Sequence, residues 1–304
     1  MEQNQISITA IMTAFMRGFH ARYDTPKIFD DFLAWNLLPE ERRAMIEQGL
    51  LQAVQIDHSD LAALPPEQMD AVKMMLIKMG ASNVICRSAY TEKHLEEAVQ
   101  QGIGQYVILG AGMDTFAFRC PDLIERLQVF EVDHPAMQAF KRGRIEELGW
   151  GKPSQLQFVP VDFTQDDLAD KLIQSGFDPK AKGFFSWLGV TMYLTREESL
   201  ATLSVITRVA PAGSMIIFDY LDNETPSKTA SEVRRTLSQQ VNEPIKSGFD
   251  PSTLAEDLER LGLHLVENLN QAHIQKKYFD HRTDGYRAVR NQHLAYAICN
   301  NINS

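Results

Sequence analysis

The sequence predicts an α/β fold in which helices cover a mostly parallel β-sheet. From residue 105 onward, short apolar runs rich in β-branched residues alternate with helix-length segments. Right-handed crossovers between such strands make them parallel. Before residue 105, apolar residues recur at helical spacing. We therefore expect one α/β domain over residues 1–304, with a helical cap and lead-in over 1–104 and the sheet core over 105–304.

The N-terminal part contains three segments whose apolar residues lie three and four positions apart, which predicts three amphipathic helices. They are ITAIMTAFMRGF, IFDDFLAWNLL and MDAVKMMLIKM. The methionines and aromatic residues of the first segment would give an acceptor pocket an apolar lining, although ordinary core packing explains the same spacing. These residues are Met12, Phe15, Met16, Phe19 and Tyr23.

Five strands are predicted next, with helices between them. The strands are QYVIL (105–109), LQVFEV (127–132), LQFVPV (156–161), GFFSWLGV (183–190) and SMIIFDY (214–220). Helices are expected in AMQAFKRGRIEELGW, TQDDLADKLIQSG and TREESLATLSVITRVA. The last helix has clear ends, because Thr195 stands before two glutamates, as an N-terminal cap does, and Pro-Ala-Gly at 211–213 stops it. HLVENL (264–269) and HLAYAICN (293–300) are expected to form a hairpin-like end to the sheet.

Composition limits the possible functions. The chain has 304 residues, of which 44% are hydrophobic and 23% charged, as in ordinary soluble globular proteins. No apolar run reaches the roughly 18 residues of a membrane span, and the N-terminus lacks a signal-peptide pattern. Three widely spaced cysteines favour reduced thiols over disulfides or a metal site. With a net charge of −10, we expect a cytoplasmic protein that binds neither nucleic acid nor membranes.

A glycine-containing turn follows the first predicted strand, in YVILGAGMDTFAFR (106–119). Gly110 and Gly112 would let the backbone approach a ligand closely, and ligands of open parallel sheets bind at the carboxyl ends of the strands. A tight turn without a ligand is the alternative. The dinucleotide pattern GxGxxG fails at its third glycine, where Thr115 stands, and a phosphate loop is excluded because no GK[ST] follows.

Two further strands end in acids. Asp133 closes FEVD 21 residues after Gly112, where a carboxylate can accept hydrogen bonds from both hydroxyls of a ribose. Asp162 and Phe163 follow the third strand, where an acid could bind an adenine amino group and the aromatic ring could cover the base. Each acid has an alternative role as a helix cap, Asp133 near Pro135 and Asp162 at Thr164. Together the three strand ends suit an adenosine without a diphosphate bridge.

LGAGMDTFAFR, FEVDHP, VDF and SWLGVTMYLT, in this order, resemble the leucine carboxyl methyltransferase-like group of class I S-adenosylmethionine-dependent methyltransferases. The similarity runs from about residue 8 to the C-terminus and is closer to the bacterial small-molecule branch. It implies a Rossmann-like sheet of seven strands with an antiparallel last strand and a helical N-terminal lid. It also implies the cofactor S-adenosylmethionine.

The same resemblance implies a set of site residues. An arginine before the first strand pairs with the methionine carboxylate in the family, and Arg87 in ICRSAY occupies that position. Gly110 and Gly112 would pass close to the methionine part, Asp133 would hold the ribose, and Asp162 with Phe163 would bracket the adenine. Some relatives carry a glutamate where this chain has Leu188, and Lys27 corresponds only loosely to a donor-contacting lysine.

The implied reaction is methyl transfer to a carboxylate or hydroxyl of a small, polyketide-like organic molecule. Methylation of a protein C-terminal carboxylate is the alternative within the family; an NAD-dependent oxidoreductase or a catalytically silent interaction module would be another class. The fourth strand lacks the DPPY- or NPPY-type stretch of amino methyltransferases. A hydroxyl acceptor would benefit from a general base, for which Tyr193, Asp114 and His20 are candidates. The sequence assigns no catalytic residue and no oligomeric state.

Overall fold

A computed structural model describes residues 6–57, 68–162, 165–222 and 245–300. Its core is a seven-stranded sheet in the order β3-β2-β1-β4-β5-β7-β6. The first five strands are parallel, whereas β7 is antiparallel to both of its neighbours. The prediction of a seven-stranded, mostly parallel sheet with an antiparallel last strand is confirmed. The strands are β1 (Gln105–Leu109), β2 (Gln128–Asp133), β3 (Leu156–Pro160), β4 (Gly183–Trp187), β5 (Met215–Leu221), β6 (Leu263–Leu269) and β7 (Gln292–Cys299).

Helices lead into the sheet and cover both of its faces. Those before the sheet are α1 (Ile8–Tyr23), α2 (Ala34–Leu37), α3 (Glu40–Asp57), α4 (Gln68–Lys78) and α5 (Ala81–Gln100). Those between and after the strands are α6 (Phe116–Arg119), α7 (Pro121–Ile124), α8 (Pro135–Glu147), α9 (Leu168–Gln174), α10 (Arg196–Val209), α11 (Leu254–Arg260) and α12 (Gln271–Ile274). None of the helices in the described ranges is long and apolar enough to cross a membrane.

Each face of the sheet has its own hydrophobic core. Tyr106 and Ile108 of β1 belong to a cluster that also contains α1 and α5 residues, whereas Val107 and Leu109 belong to the cluster on the opposite face. This arrangement explains why β1 is a continuous apolar run, since all five of its residues are buried. The cap helices thus share a core with the sheet. That shared core supports the single-domain interpretation, which stays a prediction.

Local signals set most helix ends close to their predicted positions, with two exceptions. The predicted helix IFDDFLAWNLL is wrong over most of its length, because only α2 (Ala34–Leu37) forms there, with the Asp31 carboxylate accepting from the Ala34 N–H at its start. Thr195 caps α10 in a capping box with Glu198, and α10 ends at Val209, before Pro211. The predicted helix TQDDLADKLIQSG is wrong in its start, because α9 begins at Leu168. The Asp167 carboxylate accepts hydrogen bonds from the N–H groups of Ala169 and Asp170 and so caps α9.

The predicted C-terminal hairpin is confirmed, and it brings the start of β7 to the expected ligand-binding edge of the sheet. Its second strand, β7, inserts between β5 and β6. The register pairs Leu221 of β5 with Gln292 of β7. The first residue of β7 therefore lies at the edge where the parallel strands end.

Candidate functional site

The glycine turn and the acid of β2 are joined by a direct hydrogen bond. Gly110 and Gly112 have φ angles of +70° and +51°, a backbone region that favours glycine. The Gly112 N–H donates to Asp133 Oδ2 at 2.5 Å, and the His134 N–H donates to Asp133 Oδ1 at 2.7 Å. The glycine turn after β1 and the acid at the end of β2, both predicted from the sequence, are thus in direct contact.

Asp133 is not the cap of the following helix. That position belongs to His134, whose Nδ1 accepts from the Ala136 N–H at the start of α8. Burial raises the pKa of the Asp133 carboxyl above its usual value, although the Gly112 and His134 N–H groups act in the opposite direction. The two N–H groups therefore hold the carboxylate beside the glycine turn. Each carboxylate oxygen still has a lone pair that can accept from a hydroxyl group.

The space above the glycine turn is too narrow for a side chain on either glycine of the turn. A Cβ on Gly110 would lie 2.5 Å from Val190 Cγ2, and a Cβ on Gly112 would lie 3.0 Å from Ala10 Cβ of α1. Helix α1 therefore lies directly over the turn, as the resemblance implied for a lid. The two glycines are required both by φ and by this close approach.

Asp162 follows β3, and its alternative role as a helix cap at Thr164 lies outside the described residues. Its carbonyl oxygen accepts from the N–H groups of Gln165 and Asp166, and its carboxylate accepts from Gln165 Nε2 at 2.8 Å. Asp162 lies at the same sheet edge as Asp133, one strand further out. Phe163 lies outside the described residues.

Arg87 is a buried residue of α5 and not a surface arginine. Its Nη1 donates to Asp219 Oδ2 at 2.7 Å, and the side chains are 9% and 0% exposed. Asp219, near the end of β5, also accepts from Asn83 Nδ2 at 3.2 Å and from the Gly189 N–H at 2.5 Å. A Cβ on Gly189 would lie 2.5 Å from Arg87 Nη2, so the glycine after β4 makes room for the guanidinium.

Asp219 is a residue that the sequence analysis missed. Its signal was available, because SMIIFDY carries an acid near its end, as the second and third strands have an acid at theirs. The hydrogen bonds among the described residues use only Nη1 of Arg87. Nε and Nη2, which form another edge of the planar guanidinium, can still bind a carboxylate in a bidentate manner.

A cavity of about 190 Å³ opens beside Arg87 and Gly189. Of the five residues predicted to line an acceptor pocket, Met12 and Met16 do so. Phe15 and Phe19 belong to the hydrophobic core, the alternative role that their spacing favoured, and Tyr23 is 44% exposed and lines no part of the cavity. Gly110, Gly112 and Asp133 do not line the cavity, which extends from β4 toward β7. The predicted site residues therefore form two neighbouring parts, the turn with its acid and the arginine with its cavity.

The three candidate bases differ in position. Tyr193 lines the cavity, and its hydroxyl lies 3.5 Å from Thr9 Oγ1. Asp114 Oδ1 accepts from the Phe116 N–H at 2.8 Å, next to the start of α6. His20 is wrong as a candidate: it is fully buried, its Nδ1 lies 2.7 Å from Asp24 Oδ2, and its Nε2 accepts from the Ile28 N–H.

A buried charge cluster, which no sequence pattern indicated, connects the cap to the glycine turn. Asp31 accepts from Arg17 Nε at 2.8 Å and from Thr115 Oγ1 at 2.5 Å, and Arg119 lies 3.5 Å away. Arg17 Nη2 also donates to the carbonyl oxygen of Met113, the residue after Gly112. Arg119 pairs in addition with Glu92. These contacts fix the position of α1 relative to the turn.

Two loosely aligned positions do not enter the site. Lys27 pairs with Asp30 at 2.9 Å in an exposed ion pair. Leu188 packs against the hydrophobic core, so no polar side chain takes the place of the relatives' glutamate at that position. Within the described ranges, no group of three or more His, Cys, Asp or Glu side chains is placed to hold a metal ion.

Comparisons with known proteins show which proteins this chain resembles. The family model for leucine carboxyl methyltransferase matches residues 10–207. The Bacillus subtilis (strain 168) protein named "Putative S-adenosyl-L-methionine-dependent methyltransferase YktD" is 37% identical over 303 residues, which cover 98% of this chain and 99% of YktD.

Two solved structures share the fold over nearly the whole chain. A DUF574-family protein from Streptomyces avermitilis has a TM-score of 0.54 at 16% identity, covering 97% of this chain and 98% of that one. A "putative methyltransferase" from Thermobifida fusca has a TM-score of 0.52 at 13% identity, with coverages of 97% and 96%. At such identities these structures establish the class I methyltransferase fold alone.

Proposed function

This chain belongs to the leucine carboxyl methyltransferase family of S-adenosylmethionine-dependent methyltransferases, and from that premise we propose that it methylates an oxygen of a small organic molecule. The acceptor oxygen is a carboxylate or a hydroxyl, and a polyketide-like compound fits the proposal. The observation that carries it is the cavity beside Arg87, which is small and lined mainly by apolar side chains. Such a lining suits a small organic acceptor.

The described residues fit the methyl donor. S-adenosylmethionine supplies a methyl group already activated by its sulfonium, so the chain has to bind, align and exclude water. Asp133 would accept from the ribose hydroxyls, the glycine turn would let the backbone approach, and Arg87 would donate to the carboxylate of the amino-acid tail. Asp162 and Phe163 would lie beside the adenine.

The order of the strands supports this assignment. Asp162, Asp133, Gly112 and Gly189 follow β3, β2, β1 and β4, which are consecutive neighbours in the sheet. A ligand lying along this edge would meet the adenine, ribose and amino-acid contacts in their chemical order. The family match also decides between the two cofactors considered, in favour of S-adenosylmethionine over NAD.

Methylation of a protein C-terminus remains the alternative within the family. The test is transfer of labelled methyl groups from S-adenosylmethionine, with small acids and hydroxyl compounds compared against C-terminal peptides. We expect label in the small molecules. Label confined to peptides would contradict the proposal, and no transfer to any cell extract would support a silent interaction module. Cytoplasmic location remains a prediction of the sequence.

Replacing Asp133 by alanine is expected to weaken binding of S-adenosylhomocysteine by about 1–3 kcal/mol, or about 5- to 150-fold. The reason is that both ribose hydroxyls would lose their acceptor, and two backbone N–H groups would lose theirs. Isothermal titration calorimetry measures the effect. Glu125→Ala, at an exposed acid, is the matched control. Equal affinities of the two variants would show that Asp133 does not hold the ribose.

A further inference from the structure

A residue that lines the cavity carries a buried oxygen without a hydrogen-bond partner. Gln292, the first residue of β7, lines the cavity and is 6% exposed. Its Oε1 is buried and has no hydrogen-bond partner. Buried side-chain oxygens are nearly always paired in native structures, because an unpaired one costs free energy. Gln292 is therefore suited to receive a hydrogen bond from a ligand in the cavity.

The position of Gln292 places it beside the methyl acceptor and not beside the methyl donor. Gln292 pairs with Leu221 at the end of β5, which is followed in the sheet order by β4 and then β1. Neighbouring strands lie about 4.8 Å apart, so Gln292 is about 10 Å beyond the end of β4, on the side away from Asp133. The donor contacts proposed above end at Arg87 and Gly189. Gln292 lies past them along the same edge.

The charges around the cavity do not suit an anion. Arg87 is the cationic side chain among the described lining residues, and its charge is balanced by Asp219 at 2.7 Å. Methionines are the most frequent apolar residues of the lining, with Met12, Met16, Met79 and Met192. An ionised carboxylate has acceptors only and cannot donate to Gln292 Oε1, whereas a hydroxyl can.

We propose that the acceptor is a neutral molecule, an alcohol or a phenol, whose O–H donates to Gln292 Oε1 and whose apolar body packs against the methionines. This inference rests on the function proposed above and narrows its substrate class. A cavity of about 150 Å³ is enough for benzene, so the present one admits a single substituted ring. The flexible methionine side chains can adapt to such a ring.

The reaction balances for this class of acceptor. The hydroxyl oxygen uses a lone pair to form a bond to the methyl carbon. The carbon–sulfur bond breaks with its electron pair left on sulfur, and the hydroxyl proton is released to water. Gln292 recognises the hydroxyl in this scheme and takes no proton.

The test is calorimetric titration of matched probes onto protein saturated with S-adenosylhomocysteine. The probes are 4-methylphenol and benzyl alcohol, each compared with benzoate. We expect both neutral probes to bind at least tenfold more tightly than benzoate. Gln292→Leu should weaken binding of the neutral probes about tenfold or more. Gln292→Glu keeps oxygen acceptors at this position and should retain binding of the neutral probes. Gln174→Leu, at an exposed glutamine, is the control.

The outcomes separate this inference from the proposed function. Failure of S-adenosylhomocysteine to bind would overturn the proposed function itself. If it binds, three results would each overturn the inference: benzoate binding as well as the neutral probes, no neutral probe binding at all, or a folded Gln292→Leu variant behaving as Gln174→Leu does. Loss of neutral-probe binding in Gln292→Glu would indicate instead that the Gln292 amide nitrogen donates to the acceptor. That result would also overturn the inference.

Discussion

Replacing Arg87 by methionine is expected to abolish measurable binding of S-adenosylhomocysteine and to lower the free energy of unfolding by about 3–5 kcal/mol. The binding loss follows from removal of the guanidinium edge proposed to hold the carboxylate of the amino-acid tail. The stability loss follows because Asp219, fully buried, would lose its cationic partner. Calorimetry and chemical denaturation measure the two effects.

The double variant Arg87→Met/Asp219→Asn separates folding from binding. It removes both buried charges, so most of the lost stability should return, while affinity for S-adenosylhomocysteine should not. 5′-Methylthioadenosine, which lacks the amino-acid tail, should bind the double variant as it binds the wild type. If the double variant binds S-adenosylhomocysteine with unchanged affinity, Arg87 has no role in holding the donor.

Replacing Asp31 by alanine is expected to lower the free energy of unfolding by about 3–5 kcal/mol. The Asp31 side chain is 1% exposed and is the shared partner of Arg17 and Arg119. Its removal would leave Arg17 with a carbonyl oxygen as partner, in a region that excludes water. Chemical denaturation of the variant and the wild type measures the difference.

The neighbouring acid provides a matched control. Asp30 is 52% exposed and pairs only with Lys27 in the ion pairs of the described residues, so Asp30→Ala should change stability by less than about 0.5 kcal/mol. Because Arg17 also holds Met113, Asp31→Ala should in addition weaken S-adenosylhomocysteine binding while the protein is still folded. Equal stabilities for the two alanine variants would contradict the role given to the buried cluster.

The parts of the fold that depend on local patterns could be predicted from the sequence. The run QYVIL is β1 with the same bounds, because a strand buried on both faces is a continuous apolar run bounded by polar and glycine residues. The fourth strand ends at Trp187, three residues earlier than predicted, because Gly189 has a φ of +72° and begins a turn. Local apolar composition alone could not show that end.

The contacts that complete the site join residues far apart in sequence. Arg87 and Asp219 are separated by 132 residues, and Asp31 and Thr115 by 84. No spacing rule relates such pairs, so only the folded chain reveals them. The family resemblance indicated Arg87 but not its partner Asp219. Gln292 was not predicted because a glutamine at the start of a strand carries no signal by itself. The burial of His20, one of three candidate bases, could not be foreseen because helical spacing does not show which polar residues the fold buries.

The most direct test of the donor site is a crystal structure with S-adenosylhomocysteine bound. We expect the ribose hydroxyls within about 3.2 Å of the Asp133 carboxylate, and the carboxylate of the amino-acid tail against Nε and Nη2 of Arg87. A nucleoside bound away from the ends of β1 and β2, with Asp133 still contacting only Gly112 and His134, would contradict the account.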